Sequence, residues 1–110
     1  MINKIKSRND FIRIQRNGKK HVSSCIIVQS LESIDNDHLS RFGFTASKKV
    51  GGAVLRNKAK RRMRSLVNEL KNVFKPLGQD YVLIARKQAI YQDYNKIKDE
   101  LIVSVRTLSN

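Results

Sequence analysis

The spacing of apolar positions divides the 110-residue chain into an ordered series of helices and strands. Phe11 and Ile14, three apart within residues 7 to 18, predict a first helix that turns both side chains inward. Ser7 supplies its N-cap, Asp10 completes a capping box three residues on, and Gly18 is the expected stop. "HVSSCIIVQSL", residues 21 to 31, reads as one strand, with Val22, Ile26 and Val28 alternating against Cys25, Ile27 and Gln29. The polar, acidic "ESIDNDHLS" is a loop, and "RFGFTAS" is a second strand. Phe42, Phe44 and Ala46 share one of its faces, while Arg41, Gly43, Thr45 and Ser47 take the other.

After Gly51-Gly52, a stripe of Leu55, Ala59, Met63, Leu66, Leu70 and Phe74 predicts a long helix over residues 53 to 74. "DYVLIARK" (80 to 87) is nearly all apolar and is expected to be a strand buried on both faces. Tyr94, Ile97, Leu101, Val105 and Leu108 mark a last helix, and a further short strand has room near residues 20 to 24 or 33 to 40. The expected class is α/β, an α+β sandwich with a small mixed β-sheet and packed helices in α-β-β(β)-α-β-α order. No repeat, low-complexity tract or linker interrupts the chain, so residues 1 to 110 are expected to form a single domain.

Lys and Arg number 23 against 9 Asp and Glu, a net charge of +14, while 40% of residues are hydrophobic. That balance describes a folded basic protein and excludes a disordered charged tail. Cys25 is alone, so no internal disulfide framework exists and a reducing, cytoplasmic setting is expected. The charged start "MINKIKSRND" lacks the apolar centre of a signal peptide, and no run approaches the ~18 apolar residues of a membrane span.

The charge is concentrated. Residues 41 to 65 hold nine basic side chains, and no carboxylate stands between Asp37 and Glu69. With Ala59 at zero and about 100° per residue, Leu55, Met63, Leu66 and Leu70 fall within about 40° of it. Asn57, Arg61 and Arg64 then point straight away from the core, while Arg56, Lys60, Lys58 and Arg62 flank the stripe with their stems along apolar neighbours. Like charges four apart, such as Arg56 with Lys60, each cost roughly 0.2–0.5 kcal/mol. A helix shaped by stability alone would intersperse Glu, so a polyanion is the expected partner, its phosphates turning repulsion into affinity through counterion release. Ser47, Lys48 and Lys49 lead into the helix start, where free N–H groups and the dipole also favour anions.

Other chemistry finds little footing. "GGAVLRNK" lacks the spacing of a nucleotide-binding phosphate loop. His21, His38 and Cys25 have no partners at metal-ligand spacing, and Asp10, Asp99 and Glu100 read as cap and helix-surface residues, so no catalytic and no metal-binding residue is assigned.

"GFTASKKVGGAVLRNKAKRRMR" closely resembles the signature of the bacterial ribonuclease P protein subunit. Gly43, Ser47, Lys48, Lys49, Val50, Gly51, Ala53, Val54, Arg56, Asn57, Lys60, Arg61 and Arg64 match its pattern. "NDFIRIQRNGKK" looks like the family's first helix and "DYVLIARK" like its last strand, so the likeness spans nearly the whole chain. Lys58 stands where the family usually carries Arg, which keeps the charge but loses the planar fork. Gln15 and Gln29 occupy positions that are often aromatic.

The resemblance implies a left-handed βαβ crossover, against the usual rule of right-handed ones. It also implies a role as the protein subunit of an endonuclease that removes the 5′ leader of precursor tRNA. The catalytic RNA would carry the chemistry with Mg²⁺ bound through the RNA. The basic helix (Arg56, Asn57, Lys58, Lys60, Arg61, Arg62, Arg64) and Ser47, Lys48 and Lys49 are expected to dock on that RNA. Phe11, Gln15, Gln29 and Phe44 are expected to line a leader cleft on a sheet face that Ile26 and Val28 share. Neither DNA nor a membrane is an expected partner. Three rivals carry less of the pattern: a ribosomal-type RNA-binding protein, a DNA-binding protein using residues 53 to 67 in the major groove, and a peripheral membrane protein.

Overall fold

The computed structural model describes residues 2–33 and 38–109; residues 34 to 37, in the expected acidic loop, lie outside them. The elements run β1 (Asn3–Lys4), α1 (Arg8–Asn17), β2 (Lys19–Val22), β3 (Ile26–Glu32), β4 (Arg41–Ala46), α2 (Ala53–Glu69), β5 (Gln79–Ala85), α3 (Gln88–Tyr91) and α4 (Tyr94–Leu108). Short 3₁₀ turns at Lys48–Val50 and Lys71–Val73 flank α2.

The strands form one mixed sheet in the order β1-β4-β5-β3-β2. β4 is parallel to both β1 and β5, whereas β5 with β3 and β3 with β2 are antiparallel. β5 therefore lies at the centre, which is why its sequence is apolar without alternation. Adjacent parallel strands need a crossover, and α2 provides it between β4 and β5.

α2 and α4 cover one face of the sheet, where Ile26, Val28, Leu83, Met63, Leu66, Ile97 and Leu101 are at most 1% exposed. On the other face, α1 sets Ile14 against Ile5 and Val82, with Phe11, Leu31 and Ile84 at the margin. The predicted stripe of the last helix holds in detail, since Ile97, Leu101 and Val105 are buried and Tyr94 and Leu108 pack against them.

Three local expectations need correction. Residues 21 to 31 are not one strand but the β2–β3 hairpin, whose turn closes with Ser23 N–H donating to the Ile26 carbonyl at 2.9 Å and is held by Glu100 of α4. Its carboxylate accepts from the Ser24 hydroxyl at 2.7 Å and from Cys25 N–H at 2.9 Å. α2 stops at Glu69 rather than reaching Phe74, although Leu70 and Phe74 stay buried beyond it. Ser7 does cap α1 by accepting from Asn9 N–H at 3.1 Å. Asp10, however, bonds to Arg41 at 3.3 Å instead of closing a capping box, since a guanidinium is the stronger partner. β1 and α3 are additions that no periodicity announced, being too short to show one.

Candidate nucleic-acid interface

α2 leaves the sheet edge with Val50 as an anchor, 2% exposed, and Lys48 and Lys49 outside it. Gly51 makes the turn with φ of 142°, a conformation that disfavours any side chain, and Leu55 packs directly on it. Ser47, Lys48 and Lys49 thereby reach solvent at the N-terminal end of α2, beside exposed Asn57, Lys58 and Arg61. Arg56 and Lys60 are half-buried. The helix has Glu69 in its last turn as its sole carboxylate, and that is held by Lys98 at 3.4 Å.

Two predicted interface arginines are engaged within the protein. Arg62 donates from Nη1 to the carbonyls of Ala89 (2.8 Å) and Ile90 (2.9 Å), and from Nη2 to that of Gln92 (2.9 Å). Arg64 does not point straight outward: its guanidinium carbon lies 5.5 Å from the centre of the Phe44 ring, a cation–π contact. The reason is rotation of the helix. Leu55 is only half-buried while Val67, about 80° from Ala59, is 1% exposed, so the buried side turns toward Lys60 and Arg64. Arg61 is left facing directly away.

The expected leader cleft is split by the sheet. Register places Gln29, Val82 and Gly43 in one row and Val28, Leu83 and Phe44 in the next. Successive rows face opposite ways. Phe11 and Gln29 belong to the α1 face, with Gln15 exposed on α1 one turn beyond Phe11. Phe44 belongs to the α2 face, and Ile26 and Val28, both 0% exposed, line no surface at all. The Phe11 ring lies so close over Gly43 that a Cβ there would come within 2.5 Å of it. Partly exposed Ile27, Ile84 and Thr45 form the next row on this face. Alternation from Gln29 would have found them.

Asp80 fixes α1 above this face. It is 0% exposed and accepts a bidentate pair from Arg41 (2.9 and 2.8 Å), a bond from Arg13 (2.7 Å) and one from Ser33 (3.1 Å). Burial pushes its pKa up, but the Arg41 and Arg13 contacts outweigh that and hold it below the usual value. A carboxylate at the head of an apolar strand was the available signal, and the charge pattern alone named no partner for it. Among the described residues no group of three or more His, Cys, Asp or Glu is placed to hold a metal.

The chain resembles known proteins along nearly its full length. The family model for ribonuclease P matches residues 2–109. A ribonuclease P protein component from Listeria welshimeri is 36% identical over 99 residues, covering 90% of this chain and 82% of the relative. The structure of the Staphylococcus aureus RNase P protein superposes with a TM-score of 0.81 at 32% identity, covering 97% and 95% of the two chains. That of Thermotoga maritima gives 0.78 at 28% identity, covering 94% and 96%. The chain therefore belongs to the ribonuclease P protein family, the protein subunit of the endoribonuclease that matures the 5′ end of tRNA.

Proposed function

We propose that this subunit works through two RNA surfaces. Ser47, Lys48, Lys49 and the outward side of α2, centred on Asn57, Lys58 and Arg61, dock on the catalytic RNA. The α1 face of the sheet, from Phe11 and Gln15 across Gln29, receives the 5′ leader of precursor tRNA. The observation that carries the reading is the acid-free row of exposed cations on and just before α2, paired with no carboxylate of that helix. Neutralising several phosphates there offsets the like-charge cost and gives a steep salt dependence.

The chemistry belongs to the RNA, with Mg²⁺ entering through it, and this chain contributes position and charge. Phe11 offers a ring for stacking and exposed Gln15 offers hydrogen bonds where an aromatic ring would add roughly 1–3 kcal/mol per base, while Gln29, 8% exposed, backs the face from beneath. A cytoplasmic site of action fits the lone, buried thiol of Cys25.

The decisive experiment is cleavage of a 5′-extended precursor tRNA by a bacterial ribonuclease P RNA at low Mg²⁺, with and without this protein. Correctly placed cleavage restored by the protein supports the reading. Tight RNA binding with cleavage unchanged would instead favour a general RNA-binding role.

A further inference from the structure

Tyr91 is an aromatic side chain 64% exposed to solvent, outside both the core and the proposed cleft. It ends α3, a single turn that could not hold a fixed shape by its own hydrogen bonds. Arg62 of the basic helix supplies the rigidity. Its three bonds grip the carbonyls of Ala89, Ile90 and Gln92, so the backbone on both sides of Tyr91 is pinned to α2. Ala89 and Ile90 anchor the other side of the turn in the core, at 1% and 8% exposure. The Gln92 and Gln88 side chains close the turn with a bond of 3.1 Å.

The position relative to the cations follows from the order of contacts along α2. Glu69 meets Lys98, Ser65 meets the Tyr94 hydroxyl at 3.1 Å, and Arg62 meets α3. Lys58, one turn earlier on the same side and exposed, is the next basic group in that line, with Arg61 beside it. Lys87 is exposed just before α3, Arg86 beside it donates to the Ser23 carbonyl at 2.8 Å, and Asp93, exposed at the N-cap of α4, is the nearest carboxylate along the chain. An aromatic ring carried on a pinned backbone, open to solvent and close in sequence to exposed cations has the composition of a base-stacking platform.

We propose that Tyr91 stacks on an unpaired nucleobase of the RNA that docks along α2, extending that interface onto α3. This rests on the assignment of α2 to RNA, and the test separates the two. The chain has no tryptophan, so Tyr91→Trp introduces a single reporter at the site. Affinity for a bacterial ribonuclease P RNA is measured across a salt series for Tyr91→Ala, Tyr91→Phe, Tyr91→Trp and, as a reference, Arg61→Ala.

Tyr91→Ala is expected to weaken binding by about 5- to 150-fold, the range of one stacked base, with the salt slope unchanged. Tyr91→Phe and Tyr91→Trp are expected to bind as the parent does, and the indole emission of Tyr91→Trp to be quenched by RNA. Full affinity in Tyr91→Ala with weakened Arg61→Ala would overturn the platform and leave the α2 assignment standing. Equal losses in Tyr91→Phe and Tyr91→Ala would replace stacking by a hydroxyl contact. Full affinity in both Arg61→Ala and Tyr91→Ala would remove α2 from the interface, and the platform with it.

Discussion

At the scale of single residues, neighbouring arginines of one motif sit in different environments. Arg61 faces solvent, whereas Arg62 is committed to three carbonyls of the α3 region. Arg61→Ala should therefore keep the melting temperature and flatten the salt slope of RNA binding by roughly 0.7–0.9 for each phosphate left without its cation. Arg62→Ala should lower stability by about 1–3 kcal/mol, because carbonyls that accepted from a charged donor lose it. Thermal denaturation beside salt-dependent binding distinguishes them, and identical behaviour of the two variants would refute the division. Phe11 poses the parallel question on the other surface. Phe11→Ala should weaken binding of leader-bearing precursor more than that of mature tRNA, and equal losses would make Phe11 a packing residue alone. The cluster of cations was legible in the chain. Which of them had an internal partner was not, since Ala89, Ile90 and Gln92 are nearly thirty residues from Arg62.

At the scale of elements, the two longest helices and the central strand were readable because each carries enough apolar positions to define a period. The errors fell on short or tethered pieces and on the C-terminal end of α2. One apolar run became the β2–β3 hairpin, its turn closed by a backbone bond from Ser23 to Ile26 and held by a carboxylate on α4, neither of which a period reveals. α1 illustrates how an element is placed rather than formed: Asp80 draws Arg13 of α1 and Arg41 of β4 together, and Gly43 leaves room for the Phe11 ring. Gly43→Ala should force that ring aside at a cost of about 1–3 kcal/mol, the range for overpacking. Leader discrimination should fall with it while affinity for the catalytic RNA stays. Chemical denaturation with the two binding assays checks this; full leader discrimination in the variant would detach Phe11 from the cleft.

For the whole molecule, acid should loosen both helices that are tied to the sheet by carboxylates. Burial raises the Glu100 pKa, but hydrogen bonds from Cys25 N–H and Ser24 dominate and bring it to about 2 from a reference of 4.5. Asp80 is shifted in the same direction. Carboxylates with depressed folded-state pKa values contribute stability above the unfolded value and lose it as the pH falls through the folded one. Glu100→Gln should accordingly be less stable than the parent at neutral pH, with the gap closing between pH 4.5 and about 2. Asp80→Asn should cost about 3 kcal/mol or somewhat less at neutral pH, since Arg13 and Arg41 keep some contact with water. Urea titrations from pH 7 downward test both, and a Glu100→Gln gap constant with pH would assign the stabilisation elsewhere.

The amino-acid sequence by itself determined the order of the main elements, the polar nature of the partner and the family signature. Local spacing and local charge density carry those directly. Tertiary structure decided which face of the sheet each side chain joined, how far α2 is rotated and which cations remain available. Alternation separates two faces of a strand without saying what covers each, and helical periodicity gives relative angles without an absolute one. Distant partners supply both: Val67 sets the turn of α2, Asp80 seats α1 over Gly43, and Phe44 is consequently on the opposite side of the sheet from Phe11.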